Sequence, residues 1–268
     1  RKRRHRAVPS LMRRFYPRAD AIVAVSSALA EDLSRFAGLP ADRIHTIYNA
    51  VVNEELAARA AEDVDHPWLK PGQPPVILGV GRLTRQKDFV TLLHAFARMR
   101  CCCDARLIIL GDPQTHRHGA AAELAACAET LGVAEYVSLP GYKPNSLAYM
   151  SRAAAFVLSS RFEGLPTVLI EAMACGCPVV STDCPTGPKE ILENGRFGPL
   201  VPTGDPSALA DAIMQALRHP LPAAALRARA DEFNTSSAVE KYLDLAGNPR
   251  PSESVLVPHF KAAFEPAR

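Results

Sequence analysis

From residue 76 onward, short runs of apolar residues alternate with amphipathic stretches, and few folds accept that pattern. Runs of four or five apolar residues fit strands buried on both faces, and the amphipathic stretches between them fit helices that cover the sheet. Parallel strands joined by crossover helices follow. The series reads strand Val76 to Val80, helix Asp88 to Met99, strand Arg106 to Leu110, helix Ala120 to Leu131 and strand Tyr136 to Leu139. It continues with helix Ser146 to Arg152, strand Ala155 to Leu158, helix Pro166 to Cys175, strand Val179 to Ser181, helix Pro188 to Glu193 and strand Leu200 to Val201. Helices at Asp205 to Leu217 and Ala223 to Leu245 close it. The fold class is therefore α/β, a doubly wound sheet of about six strands with its ligand at their carboxyl ends.

Upstream, Ala21 to Val25 reads as a buried strand, Ser26 or Ser27 caps a helix through Phe36, and Gly38 stops it. Ile44 to Tyr48 reads as another short strand. Residues 49–75 look irregular, with Pro67, Pro71, Gly72, Pro74 and Pro75 clustered at the end, as in a linker. Pro249, Pro251, Pro258 and Pro266 mark 248–268 as a flexible tail.

Composition narrows the class further. At 48% hydrophobic and 22% charged, 268 residues can bury a large core, which excludes disorder as the dominant state. No apolar run approaches the roughly 18 residues that a spanning helix needs. The net charge of +3 is uneven, because residues 1–18 hold eight Lys or Arg and no acid, leaving 23 basic against 28 acidic residues in the rest. With Leu11, Met12, Phe15 and Tyr16 at near-helical spacing, that arm suits an ordinary solvated amphipathic face, an anionic membrane surface or nucleic acid. The solvated face is the favoured reading, peripheral membrane contact ranks second, and no nucleic-acid partner is expected. Residue 1 is Arg, and the opening lacks the form of a signal peptide, so the expectation is a chain without its original N-terminus. Seven cysteines, three of them consecutive at Cys101, Cys102 and Cys103, form neither a disulfide framework nor a zinc pair, which favours a reducing cytoplasm.

Two motifs carry chemistry. Gly79-Val80-Gly81-Arg82-Leu83-Thr84-Arg85-Gln86-Lys87 follows the first strand, with Thr84 where a dinucleotide fingerprint needs a third Gly or Ala. It also lacks the second Gly and the Ser or Thr of an NTPase phosphate loop. Arg82 and Lys87 nevertheless sit where two cations and a helix start could hold a diphosphate, or could simply be surface charges in a turn. In Phe162-Glu163-Gly164-Leu165-Pro166-Thr167-Val168-Leu169-Ile170-Glu171, Pro166 fits a first helical turn and Glu171 lies roughly 7 Å along the axis. Free amides from Leu165 to Leu169 between two carboxylates suit an anion flanked by hydroxyl-rich groups, the order of parts in a nucleotide-sugar. An ordinary helix carboxylate at Glu171 is the bland alternative.

Gly79 to Lys87, Glu163-Gly164-Leu165-Pro166, Glu171-Ala172-Met173-Ala174 and Gly176-Cys177-Pro178-Val179-Val180 together resemble the nucleotide-sugar half of retaining glycosyltransferases of family 4, with the GT-B fold. The resemblance covers roughly residues 20–247. It implies that Arg82 and Lys87 clamp the donor diphosphate, with Gly81 at the close approach. It further implies that Glu163 contacts the donor sugar and Glu171 the ribose hydroxyls, while the segment Gly164, Leu165, Pro166, Thr167, Val168 and Leu169 completes the phosphate site. It divides the chain into an acceptor-side remnant (1–52), a linker (53–75), a donor domain (76–220), crossover helices (221–247) and the tail (248–268). Thr182 to Leu192 resembles a subgroup acting in bacterial surface-polysaccharide and lipid-linked glycan assembly, which implies a UDP-linked hexose or N-acetylhexosamine. Asp112-Pro113 departs from the family where a Gly usually follows the Asp, leaving that loop's sugar contacts open.

The implied reaction transfers a sugar from a nucleoside-diphosphate donor to a hydroxyl of a glycan or lipid-linked acceptor, with retention and without a metal or other cofactor. Arg82, Lys87 and helix amides would stabilise the leaving diphosphate. A nucleotide-sugar epimerase and a nucleotide-binding module remain alternatives. Asp63-Val64-Asp65 imitates a metal-binding acidic pair but precedes the domain, and His116 with His118 lacks a third ligand. Asn234-Thr235-Ser236 is a formal glycosylation sequon without a secretory setting, and Ser159 and Ser160 lack the surroundings of a hydrolase nucleophile.

Overall fold

The computed structural model describes residues 10–111 and 119–247. Residues 1–9, the Asp112-Pro113 pair, His116, His118 and the stretch 248–268 lie outside the described residues. The chain opens with α1 (residues 10–15), β1 (Ile22–Ala24), α2 (Ser27–Ala37) and β2 (Ile44–Thr46). After α3 (Glu55–Ala61) come β3 (Val76–Val80), α4 (Phe89–Arg100), β4 (Arg106–Leu110), α5 (Ala120–Thr130), β5 (Val137–Gly141) and α6 (Ser146–Met150). The order continues through β6 (Ala155–Leu158), α7 (Thr167–Ala174), β7 (Val179–Thr182), α8 (Pro188–Ile191), β8 (Leu200–Val201), α9 (Pro206–Arg218), α10 (Ala223–Asp231) and α11 (Thr235–Leu245). Among the described residues no helix is long and apolar enough to cross a membrane.

Local chemistry sets the helix ends. The Ser26 hydroxyl accepts the Leu29 N–H at 3.2 Å and so starts α2. Gly38 ends it at φ +63, in the left-handed region where a side chain would be strained. Asp205 caps α9 by accepting the N–H groups of Ser207 and Ala208 at 2.9 and 3.0 Å, ahead of Pro206 in the first turn.

Strands β3 to β8 form one parallel sheet in the order β5-β4-β3-β6-β7-β8. The chain starts at the centre, runs outward through β4 and β5, then returns to the other side of β3. The switch point therefore lies between β3 and β6, where adjacent crossovers leave in opposite directions and open a crevice above the carboxyl ends. Alternation along each strand loads both faces. Ile77, Leu107, Ile109, Val157 and Val180 pack against α4, α5 and α9, while Leu78, Ile108, Phe156 and Leu158 join Met150, Ile170 and Phe233 on the opposite side. Each such side chain, removed from water, contributes about 1.5–3 kcal/mol.

The segment 53–75, expected to be irregular, folds against this second face. Glu55 to Ala61 reads Glu-Leu-Ala-Ala-Arg-Ala-Ala, all good helix formers, and the prolines begin only after it. Leu56 is buried, and Asn145 at the start of α6 donates to the Arg59 carbonyl at 2.8 Å. The stretch Ala223 to Leu245 is two helices, because Asn234 caps a new one by accepting the Ser237 N–H at 2.8 Å. Elsewhere element ends shift by one or two residues, as at α7, which begins at Thr167 rather than Pro166.

The parallel pair β1-β2 with α2 encloses its own small core of Ile22, Ala24, Leu33, Ala37 and Leu39. Glu190 of α8 ties that unit to the large sheet. Its carboxylate accepts the Ser27 N–H at 2.9 and 3.1 Å and the Tyr48 hydroxyl at 2.6 Å. Burial alone would raise the Glu190 pKa, but these hydrogen bonds outweigh it and hold the group below the ordinary glutamate range. The backbone adds a second tie where the Val51 N–H donates to the Phe233 carbonyl at 2.9 Å.

His66 anchors the segment before β3. Its Nδ1 accepts the Trp68 N–H at 3.2 Å, so the proton sits on Nε2 and is donated to Ser138 Oγ at 3.1 Å. Burial lowers its pKa, Lys143 lowers it further, and Asp65 opposes them. The folded state thus binds fewer protons at His66 than the unfolded chain, and stability is lost as pH falls below about 6.5. Urea unfolding at several pH values should show that loss, and His66→Gln should shrink it relative to wild type.

Candidate active site

The segments that leave the carboxyl ends of β3 and β6 meet over the switch point. Their backbones are stitched together by Ser159 Oγ donating to the Lys87 carbonyl at 2.8 Å, Arg161 N–H to the Gln86 carbonyl at 2.8 Å, and Gln86 Nε2 to the Phe162 carbonyl at 3.0 Å. Over this seam the Lys87 ammonium pairs with Glu163 Oε1 at 2.8 Å, and Ser160 Oγ donates to the same oxygen at 2.6 Å. The two charged side chains are only 12% and 9% exposed, so each depends on the other for compensation. A second pair, Arg161 with Asp88 at 2.8 Å, holds the start of α4 beside them, and Thr91 donates to Asp88 at 2.8 Å.

Gly81 lies under the Lys87 stem, and a Cβ there would stand 2.9 Å from the Lys87 Cε. Arg82 is exposed, and among the described residues its guanidinium makes no hydrogen bond or ion pair. The two cations expected to act alike therefore differ, since Arg82 is free to take an anion while Lys87 is already shared with Glu163.

The amides expected to be free from Leu165 to Leu169 need correction. Pro166 has no N–H, and the Leu169 N–H is taken by the Pro166 carbonyl at 3.0 Å. Those of Leu165, Thr167 and Val168 make no hydrogen bond among the described residues, the latter two at the positive end of α7. Gly164 has open space where a Cβ would project.

Glu171 stands four residues into α7, on its half-buried side. Burial raises its pKa, while Arg59 and Lys87 act against that. Its carboxylate accepts no hydrogen bond among the described residues. The arrangement thus combines unused donors at Arg82, Leu165, Thr167 and Val168 with an unused acceptor deeper on the same helix, which suits an anion joined to a hydroxyl-bearing group. A cavity of about 320 Å³ lined by Thr84, Arg85, Phe89 and Leu124 lies beside this loop and takes in none of Lys87, Glu163 and Glu171.

Residues 74–219 match the family model for glycosyl transferases group 1, more than half of the chain. The chain belongs to that family. Residues 1–55 match the model for glycosyltransferase family 4. Among curated members, an N-acetylgalactosaminyltransferase from Campylobacter jejuni, acting on an N-acetylgalactosamine-N,N'-diacetylbacillosaminyl-diphospho-undecaprenol, is 36% identical over 187 residues, 70% of this chain and 48% of its own. The lipopolysaccharide core biosynthesis glycosyltransferase LpsE of Rhizobium meliloti is 28% identical over 236 residues, covering 86% of this chain and 65% of its own. The chain thus spans between about half and two-thirds of those two relatives.

The architecture is that of GT-B glycosyltransferases. A glycosyltransferase from Rickettsia africae superposes with a TM-score of 0.77 at 19% identity, over 91% of this chain and 68% of that one. The Anabaena protein HepE in complex with UDP-glucose gives 0.78 at 23%, over 90% of this chain and 66% of its own.

Reasoning from sequence missed four groups that shape the site: Gln86, Ser160, Asp88 with Arg161, and Arg59. Ser160 and Gln86 adjoin the two motifs and could have been read as their supports. The Asp88–Arg161 pair joins residues on two separate loops and leaves no sequence signal. If Lys87 and Glu163 depend on each other as the geometry indicates, a double-mutant cycle of Lys87→Met and Glu163→Gln in urea should give a coupling energy of about 1 kcal/mol or more. Costs that add to within about 0.3–0.5 kcal/mol would show that the pair is not coupled.

Proposed function

We propose that this chain supplies the donor-binding part of a glycosyltransferase that moves a sugar from a UDP-linked donor to a hydroxyl of a glycan or lipid-linked acceptor, with retention of configuration, in bacterial glycan assembly. One observation carries the reading: N–H groups at the start of α7, the Arg82 guanidinium, and the Glu171 carboxylate on that same helix make no hydrogen bond among the described residues. In this reading the diphosphate lies against the amides of Leu165, Thr167 and Val168 and against Arg82, and Glu171 accepts the ribose hydroxyls. Glu163, held by Lys87 and Ser160, faces the sugar.

As the bond to the sugar breaks, negative charge grows on the leaving diphosphate. In this reading Arg82, Lys87 and the α7 dipole stabilise that charge, the helix amides being fixed in place before the donor arrives. Since those groups supply the positive charge, the reading assigns no metal. Lys87 then plays two parts, neutralising Glu163 before the donor arrives and sharing its charge with the phosphate afterwards. No carboxylate is nominated as a nucleophile beneath the anomeric carbon, so attack from the leaving-group face is the step this reading adopts.

The relatives support the choice of ligands. The Campylobacter jejuni transferase is named for an undecaprenol-linked acceptor, and HepE was crystallised with UDP-glucose. A lipid-linked acceptor agrees with the exposed Leu11, Phe15 and Tyr16, where Arg14 and Arg18 lie within 6 Å of the Phe15 ring. That surface is the proposed peripheral contact with an anionic cytoplasmic membrane.

Calorimetry with UDP, GDP and ADP tests the reading. UDP should bind in preference, and Glu171→Ala and Arg82→Ala should each weaken it by about tenfold or more, the loss of a hydrogen bond to a charged group. No binding of any nucleotide, or affinities indifferent to both changes, would refute it. The raised Glu171 pKa adds a pH signature: on acidification UDP affinity should begin to fall above the ordinary glutamate value of about 4.3, and Glu171→Gln should abolish that fall.

A further inference from the structure

Four non-glycine residues among those described have positive φ: Asp88, Thr186, Glu193 and Asn194. Asp and Asn tolerate the left-handed region through their short polar side chains, and Glu193 with Asn194 lies in the turn that follows α8. Thr186, at φ +61, is the β-branched member, the side-chain type that this conformation suits least. Strain of that kind persists where surrounding structure imposes it, and its surroundings are the candidate site.

Thr186 lies in the loop between β7 and α8. Its hydroxyl donates to the Glu163 carbonyl, and the Glu163 N–H donates to the Pro185 carbonyl at 3.5 Å, so both backbone groups of Glu163 are held by this loop. The next residue, Gly187, is pressed onto the same segment. A Cβ there would stand 2.5 Å from Pro166 Cδ and 2.8 Å from the Gly164 carbonyl oxygen, which no other residue type could accommodate without moving the loop. Below it, the Thr182 hydroxyl donates to the Ser160 carbonyl at 2.5 Å. Residues 182–187 therefore clamp residues 160–166 from the side opposite to the Lys87 loop.

We propose that Thr186 is a positioning residue, whose strained turn fixes the backbone from Glu163 to Pro166 so that the Glu163 carboxylate and the Leu165 amide face the donor. The inference rests on the donor-site reading above. It separates two quantities that a merely structural residue would move together. Replacing Thr186 by Gly removes both the hydroxyl and the φ strain, so the fold is retained while the clamp on Glu163 is released. Thr186→Ser keeps the hydroxyl.

The test measures UDP affinity by calorimetry and melting temperature for wild type, Thr186→Gly and Thr186→Ser. The expected result is a loss of about tenfold in UDP affinity for Thr186→Gly with melting close to wild type. Thr186→Ser should bind UDP within about twofold of wild type. Wild-type affinity in Thr186→Gly overturns the proposal. So does a loss of affinity matched by a large fall in melting temperature, because that marks a residue needed only for folding. If wild type itself fails to bind UDP, the donor-site reading fails and this inference falls with it, an outcome told apart from the others by the wild-type titration alone.

Discussion

The ion pair between Lys87 and Glu163 joins the carboxyl ends of two strands that are neighbours in space and about 80 residues apart in the chain. A charge this little exposed needs a partner, and each of these two has the other. Their meeting depends on β6 returning to the side of β3, a property of the strand order and not of either motif. Once the pair forms, Gly81, Gln86, Ser159 and Ser160 have fixed places around it, and α7 starts at a defined distance from β3. The unused amides and Glu171 on α7 inherit that placement.

The same constraint explains the small residues around the switch point. Gly79 lies against α4, where a Cβ would meet Phe89 and Leu92 at 3.0 and 3.1 Å. At Gly111 a Cβ would fall 2.4 Å from the Gly81 carbonyl oxygen. Side chains at these positions would displace α4 or the Gly81–Leu83 segment, and with them the loop that carries Lys87. On the other flank, the loop containing Thr186 and Gly187 presses the Glu163 segment inward. The candidate site is thus held between two loops, each anchored on the parallel sheet, an arrangement suited to preorganised binding of a charged group.

Much of the scaffold was legible in the sequence. Val76–Val80, Arg106–Leu110, Ala155–Leu158 and Leu200–Val201 match residue for residue, because buried parallel strands must be almost wholly apolar and end where that run ends. Ser26, Gly38 and Asp205 announced their helix ends through local hydrogen-bonding chemistry. The helix Glu55–Ala61 was hidden by the prolines that follow it, which gave the whole segment an irregular look. Site organisation was harder to read. Arg82 and Lys87 look equivalent in sequence, and only tertiary structure shows that Lys87 is engaged by Glu163 while Arg82 makes no side-chain contact of that kind among the described residues. The left-handed Thr186 and the bridge from Glu190 to Ser27 carry no local signal, because what imposes them lies 23 and 163 residues away in the chain.

The most direct test of the central claim, that one preorganised shelf beside the Lys87–Glu163 pair receives a nucleoside diphosphate, is a crystal structure of the chain with UDP. The account predicts phosphate oxygens within hydrogen-bond distance of Arg82 and of the N–H groups at Leu165, Thr167 and Val168, with the ribose hydroxyls on Glu171. Density for UDP elsewhere on the molecule, or a ribose turned away from Glu171, would contradict it.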